Sequence, residues 1–110
     1  MVIYLIIHTP FMRVSGMALF PFILINKKAF KNNRQIMQHE IIHLKQQLEL
    51  LILPFYFFYV LNYLLNLIKY KNHNKAYLNI VFEKEAYDND TNKVYLQKRP
   101  FWAFIKYLNT

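Results

Sequence analysis

Apolar residues occur first in short runs, then at helical spacing, then almost without interruption, and each change marks a different element. Met1 to Ile7 is an apolar run ending at His8-Thr9-Pro10. No basic residue precedes it and no small-residue cleavage site follows, so a strand is expected rather than a signal peptide. Pro10, Arg13 and Gly16 make Thr9 to Gly16 a turn region. Met17 to Asn26 reads as a second strand, rich in aromatic and β-branched residues. Pro21 cannot donate to a central ladder, so this strand is expected at a sheet edge. Lys27 to Arg34 is a polar, basic linker in which Asn32 or Asn33 can cap a following helix.

From Gln35 to Ile52 the period becomes helical. Met37, Ile41, Leu44, Leu48, Leu51 and Ile52 form one apolar stripe, Gln38, Lys45 and Glu49 a polar one, and His39 and His43 a third face between them. Leu50 to Ile68 is then nearly all apolar, interrupted by Pro54, Asn62 and Asn66, and is long enough to cross a bilayer. Pro54 breaks the helix at its start. The expectation is therefore a hairpin, with Phe55 to Tyr70 running back antiparallel to the preceding helix and associated with a membrane. Residues 71–74 form a polar turn with Asn74 as a cap. Lys75 to about Asp90 reads as a further helix, 91–98 as a polar connection, and the stretch after Pro100 as a short aromatic helix.

The 110 residues suit one small domain, 1–110. The absence of cysteine excludes disulfide staples and thiolate metal sites. A formal net charge of +8 on a chain that is 55% hydrophobic would serve nucleic acid if the basic residues were clustered. Scattered among apolar runs, they point instead to an anionic membrane surface, with the protein at the cytoplasmic membrane or in the cytoplasm. There is no glycine-rich phosphate loop, Ser/His/Asp arrangement or internal repeat.

The chemistry is concentrated in Gln38-His39-Glu40-Ile41-Ile42-His43-Leu44. Positions i and i+4 share a helix face, so His39 and His43 can hold one metal ion between them. Glu40 lies about 100° round the helix, placed to take a proton from a metal-bound water without being a ligand. A catalytic zinc site has three protein ligands, so a third is needed downstream. Glu83 and Glu85 are the candidates; His8 and His73 read as solvated histidines.

His39-Glu40-x-x-His43 followed by a later Glu-x-x-Ala resembles the gluzincin metallopeptidases. It is closest to the integral-membrane family of prenyl-protein and heat-shock proteases and their minimal single-domain relatives. The resemblance spans about fifty residues, from the first motif to the second. It selects Glu83 as third ligand with Ala86 in register, and on one helix Ala76, Ile80, Ala86 and Asp90 lie near the face of Glu83 while Glu85 points away. It implies an α+β, zincin-like domain in which N-terminal strands, a motif helix, an apolar hairpin and a Glu-bearing helix surround Zn²⁺. It further implies peptide-bond hydrolysis with Glu40 as general base, on a peptide or protein substrate added along the edge strand. Two departures stand out: Tyr87 replaces the family's aspartate, with Asp90 one turn further on, and Lys45 stands at an apolar position. Tyr87 and Tyr95 are the candidates for stabilising an oxyanion. The alternative is a catalytically inactive metal-binding or membrane-associated scaffold.

Overall fold

The computed structural model describes residues 4–108, so Met1 to Ile3 of the expected first strand lie outside the described residues. The fold is α+β, with a three-stranded mixed sheet and five α-helices. Strands β1 (Leu5–His8), β2 (Gly16–Leu19) and β3 (Phe22–Ile25) are ordered β1-β3-β2, with β1 parallel and β2 antiparallel to β3. The single strand expected over Met17 to Asn26 is thus two strands folded at Phe20-Pro21. The alternation could not show the fold because both halves are apolar. Pro21, lacking an N–H, sits in the turn, and β3 behind it is the central strand rather than an edge. The edge toward the rest of the molecule is β2.

A 3-10 turn (Lys28–Asn32) leads to helix α1 (Arg34–Glu49), whose first turn is capped by the Asn33 side chain accepting from Ile36 N at 3.1 Å. Helix α1 is the hub of the molecule. Met37 and Leu44 pack on Ala18, Ile23 and Ile25 of the sheet, and Ile42 packs with Ala86 and Tyr95 on the opposite side. A fully buried side chain such as Ile42 contributes about 1.5–3 kcal/mol relative to exposure. With neighbours on both flanks, the expected polar stripe is not a water-facing face. Of that stripe Gln38 is buried and Lys45 and Glu49 are half-buried; Gln46 and Gln47 are buried as well, whereas Leu48 and Leu51 of the expected apolar stripe are exposed.

Helix α1 ends at Glu49, before the expected Ile52. The chain turns at Leu51 and Ile52, both at positive φ (60° and 45°), a backbone region costly for a β-branched residue. Pro54 stands in the first turn of helix α2 (Leu53–Tyr70), where its missing N–H has no partner to lose. Helix α2 leaves at a bend of 113°, so it crosses α1 obliquely and does not run antiparallel to it. Among the described residues no single helix is long and apolar enough to cross a membrane; α1 and α2 meet that test only as a bent pair.

The helix expected over 75–90 is two: α3 (His73–Leu78), capped by Asn72 rather than Asn74, and α4 (Val81–Asn89). The break at Asn79 and Ile80 lets the Asn62 side chain, from α2, accept from Val81 N at 2.7 Å and cap α4 from outside its own segment. Ile80, Val81 and Phe82 then enter a second core with Phe55, Phe104 and Tyr107. The polar connection contains a one-turn helix α5 (Tyr95–Lys98), and the aromatic C-terminal segment is a 3-10 turn (Ala103–Tyr107).

Candidate metal centre

The sequence separates His39 and His43 from Glu83 by forty residues or so; packing of α4 against α1 removes that distance. His39 Nε2 and His43 Nε2 are 3.2 Å apart, and each is 3.0 Å from Glu83 Oε1. All three residues are buried, and they form a cluster able to hold a metal ion. Ligands of a tetrahedral ion with bonds of about 2.0–2.1 Å lie roughly 3.3–3.4 Å from one another, within a few tenths of an ångström of this triangle.

The remaining ring nitrogens decide what the triangle wants. His39 Nδ1 lies 3.0 Å from Asp90 Oδ2, and His43 Nδ1 lies 2.8 Å from Gln46 Oε1. The Gln46 amide is oriented by its own donations to Phe82 O and Glu85 Oε1. Both Nδ1 atoms face acceptors and therefore carry hydrogen, which leaves both Nε2 lone pairs aimed at each other and at a carboxylate oxygen. Three lone-pair donors converging in a buried site repel one another unless a cation stands between them. The same convergence attracts protons. Burial pulls the His43 pKa down, but the charge and hydrogen bond of Glu83 raise it further, to about 9. Burial pushes Glu83 up, yet His43 and the hydrogen bonds from His39, His43 and Tyr59 hold it below the usual carboxylate range.

Glu40, expected beside the histidines and not among the ligands, is there. It lines the same cleft, of about 240 Å³, as His39, His43 and Glu83. Its carboxylate packs on Gly16 of β2: a Cβ at that position would meet Glu40 Oε2 at 3.1 Å. The chain's single glycine is what makes room for this carboxylate. Among the described residues no donor reaches it, and burial raises its pKa against the opposing pull of His43 and His39.

Other expectations are redistributed. Asp90, one turn beyond the family's position, supports His39. Tyr87 packs edge-on against the His39 ring at 4.4 Å and shares a hydrogen bond with Tyr77. Tyr95 is not in the site; its hydroxyl donates to Glu85 Oε2 at 2.7 Å. Glu85 does point away from Glu83, but into a second buried polar site, where it meets Arg99, itself paired with Glu49. His73 contacts Tyr63 through Nδ1 and His8 is exposed on β1; neither joins the cluster.

Besides Gln46, two side chains around the candidate site have no signal in the sequence. Tyr59 of α2 donates to Glu83 Oε2 at 2.5 Å, orienting the carboxylate so that its other oxygen faces the histidines. Burial, with Glu83 beside it, raises the Tyr59 pKa, so the hydroxyl keeps its proton. Gln47 clasps β2 to α1, donating to Ala18 O and accepting from Phe20 N, both at 2.8 Å. It covers those outward-facing groups of the edge strand, and alternation along the strand leaves those of Gly16, beside Glu40. Comparison with protein-family models, with curated proteins and with solved structures finds no match to this chain.

Proposed function

We propose that the chain is a small zinc metallopeptidase with a zincin-like fold of gluzincin type. The observation that carries this is the convergence of His39 Nε2, His43 Nε2 and Glu83 Oε1 within 3.0–3.2 Å, with Glu40 beside them and outside the ligand set. Two imidazoles and one carboxylate are a donor set that suits zinc. Bound there, zinc would supply Lewis acidity, polarising a scissile carbonyl and acidifying water. His39 and His43, through Nε2, and Glu83 would hold the ion, with Asp90 and Gln46 fixing the histidine tautomers. Tyr59 orients Glu83. The Glu40 carboxylate takes the proton of the attacking water and returns it to the leaving amine, and burial brings its pKa toward the range where both transfers are feasible. The uncovered edge of β2 at Gly16 is where a peptide backbone would lie within reach of Glu40.

The first test is Glu40→Gln in purified protein. Wild type and variant should both carry about one zinc per chain by elemental analysis, and the variant should hydrolyse a peptide library about 10²–10⁴-fold more slowly. No metal in the wild type, or equal activity in the variant, defeats the reading. The cleft lined by all three candidate ligands, about 240 Å³, is small beside the roughly 300–1,000 Å³ of ordinary ligand pockets, which favours a second reading, an inactive metal-binding scaffold. A hollow of about 550 Å³ that shares His39, Glu40 and Gly16 with it offers the room an enzyme would need. Wild-type protein that retains zinc but cleaves nothing in the library would select the scaffold.

A further inference from the structure

Helix α2 is oriented the opposite way from a water-facing helix. Its asparagines point inward, Asn62 to Val81 N and Asn66 to Ala76 O. At about 100° per residue Leu53, Phe57, Val60, Leu61, Leu64 and Ile68 share the outer side, and all are exposed, three of them strongly: Leu53 78%, Phe57 63% and Ile68 73%. No charged residue interrupts 53–68. A groove between Phe58, Leu61 and Leu65 on one side and Phe104 and Leu108 on the other extends this surface to the C-terminal turn, where Ile105 and Trp102 are also exposed. A contiguous apolar surface of this kind marks an interaction site.

The charges around it say what kind. Of the six acidic residues, four are buried and Glu49 is tied to Arg99, leaving Asp88 as the exposed acid. Most of the 14 lysines and arginines are exposed; Lys69 and Lys71 stand at the C-terminal end of α2, and Lys106 in the C-terminal turn. We propose that this face seats the protein on one leaflet of an anionic lipid membrane, with α2 lying in the plane of the interface and the lysines among the headgroups. Lying in the interface keeps the inner side of α2, with Asn62, Asn66 and the Tyr59 hydroxyl bonded to Glu83, turned toward the protein, and keeps the candidate metal centre out of the hydrocarbon. A second copy would bring the same excess of exposed lysines and a single exposed acid, Asp88, and so offers this face no charge complement. The proposal is independent of the chemistry at the metal centre.

The full chain should float with phosphatidylcholine vesicles containing phosphatidylglycerol and much less with phosphatidylcholine alone, with the preference lost in high salt. Trp102, the chain's one tryptophan, packs beside Phe104 at 6.4 Å and is a native probe. Vesicles with brominated acyl chains should quench it. Phe57→Ser/Leu64→Ser/Ile68→Ser should weaken partitioning at least about tenfold while leaving folding, read by circular dichroism, unchanged. Lys69→Gln/Lys71→Gln should remove much of the lipid-charge preference. Wild-type protein that neither floats nor shows quenching overturns the proposal without any variant. So does a triple variant that is folded and floats equally, or a wild-type dimer that ignores vesicles and dissociates in the triple variant.

Discussion

The His43–Glu83 contact gives the metal-free protein a pH signature opposite to that of the loaded one. His43 has its pKa raised from 6.5 to about 9, so its contribution to stability is complete below about 6.5 and is lost as pH rises through about 9. Glu83 is lowered from 4.5, so its contribution is present above that value and lost as pH falls below it. In chelator, thermal unfolding should therefore show maximal stability between about pH 4.5 and 6.5 and a decline toward 9. On the proposed reading, zinc would compete with those protons, and the gap between loaded and metal-free unfolding temperatures should widen as pH rises. A metal-free profile that keeps rising to pH 9 would refute the pairing. The two glutamates should separate by a different measurement. Glu83→Ala should abolish zinc retention. Glu85→Ala should leave the ligands in place but take one of two carboxylates from Arg99, which keeps Glu49, and the acceptor from the Tyr95 hydroxyl, costing about 1–3 kcal/mol in denaturant unfolding. That second effect could not be read from spacing, which told only that Glu85 pointed elsewhere.

At the scale of elements, periodicity located α1 and the apolar α2, and the Asn33 cap followed from residue type. The His pair and Glu40 were legible because they depend on helix spacing alone. The failures have two causes. The break between α3 and α4 is fixed from outside the local window by Asn62, a distant residue on α2, whereas the turn at Phe20-Pro21 is a local pairing of β2 with β3 hidden because both halves are apolar. Asp90, Gln46 and Tyr59 acquire their roles only when α4 and α2 close on α1. Gln47 offers the sharpest test of this layer. Gln47→Ala should leave Ala18 O and Phe20 N without their side-chain partner and cost about 1–3 kcal/mol. Hydrogen exchange at residues 16–20 should accelerate while α4 stays protected. Uniform acceleration across the molecule would mean that β2 is not held separately by this clasp.

In the whole molecule, the metal triangle constrains topology. Residues 39, 43 and 83 meet within 3.0–3.2 Å, so the chain between them cannot make a single membrane crossing. Cysteines introduced at Asn32 and Asn92, both exposed, should be labelled by an impermeant reagent from one side of a sealed membrane. Opposite labelling would dismantle the site. The polar interior of α1 has a further consequence, for how the sequence can drift. Gln38, Gln46 and Gln47 each hold partners on other elements, whereas Leu53, Leu61, Leu64 and Leu65 of α2 face outward and ask only for an oily side chain. The usual ranking of mutational tolerance is thereby inverted. A saturation library sorted for folded protein should retain almost nothing at Gln46 and Gln47, and should accept Ile, Val, Met or Phe freely at Leu61 and Leu64. Over evolutionary time the hydrophilic letters of this helix would be the ones held fixed, and the hydrophobic letters of its neighbour the ones free to wander.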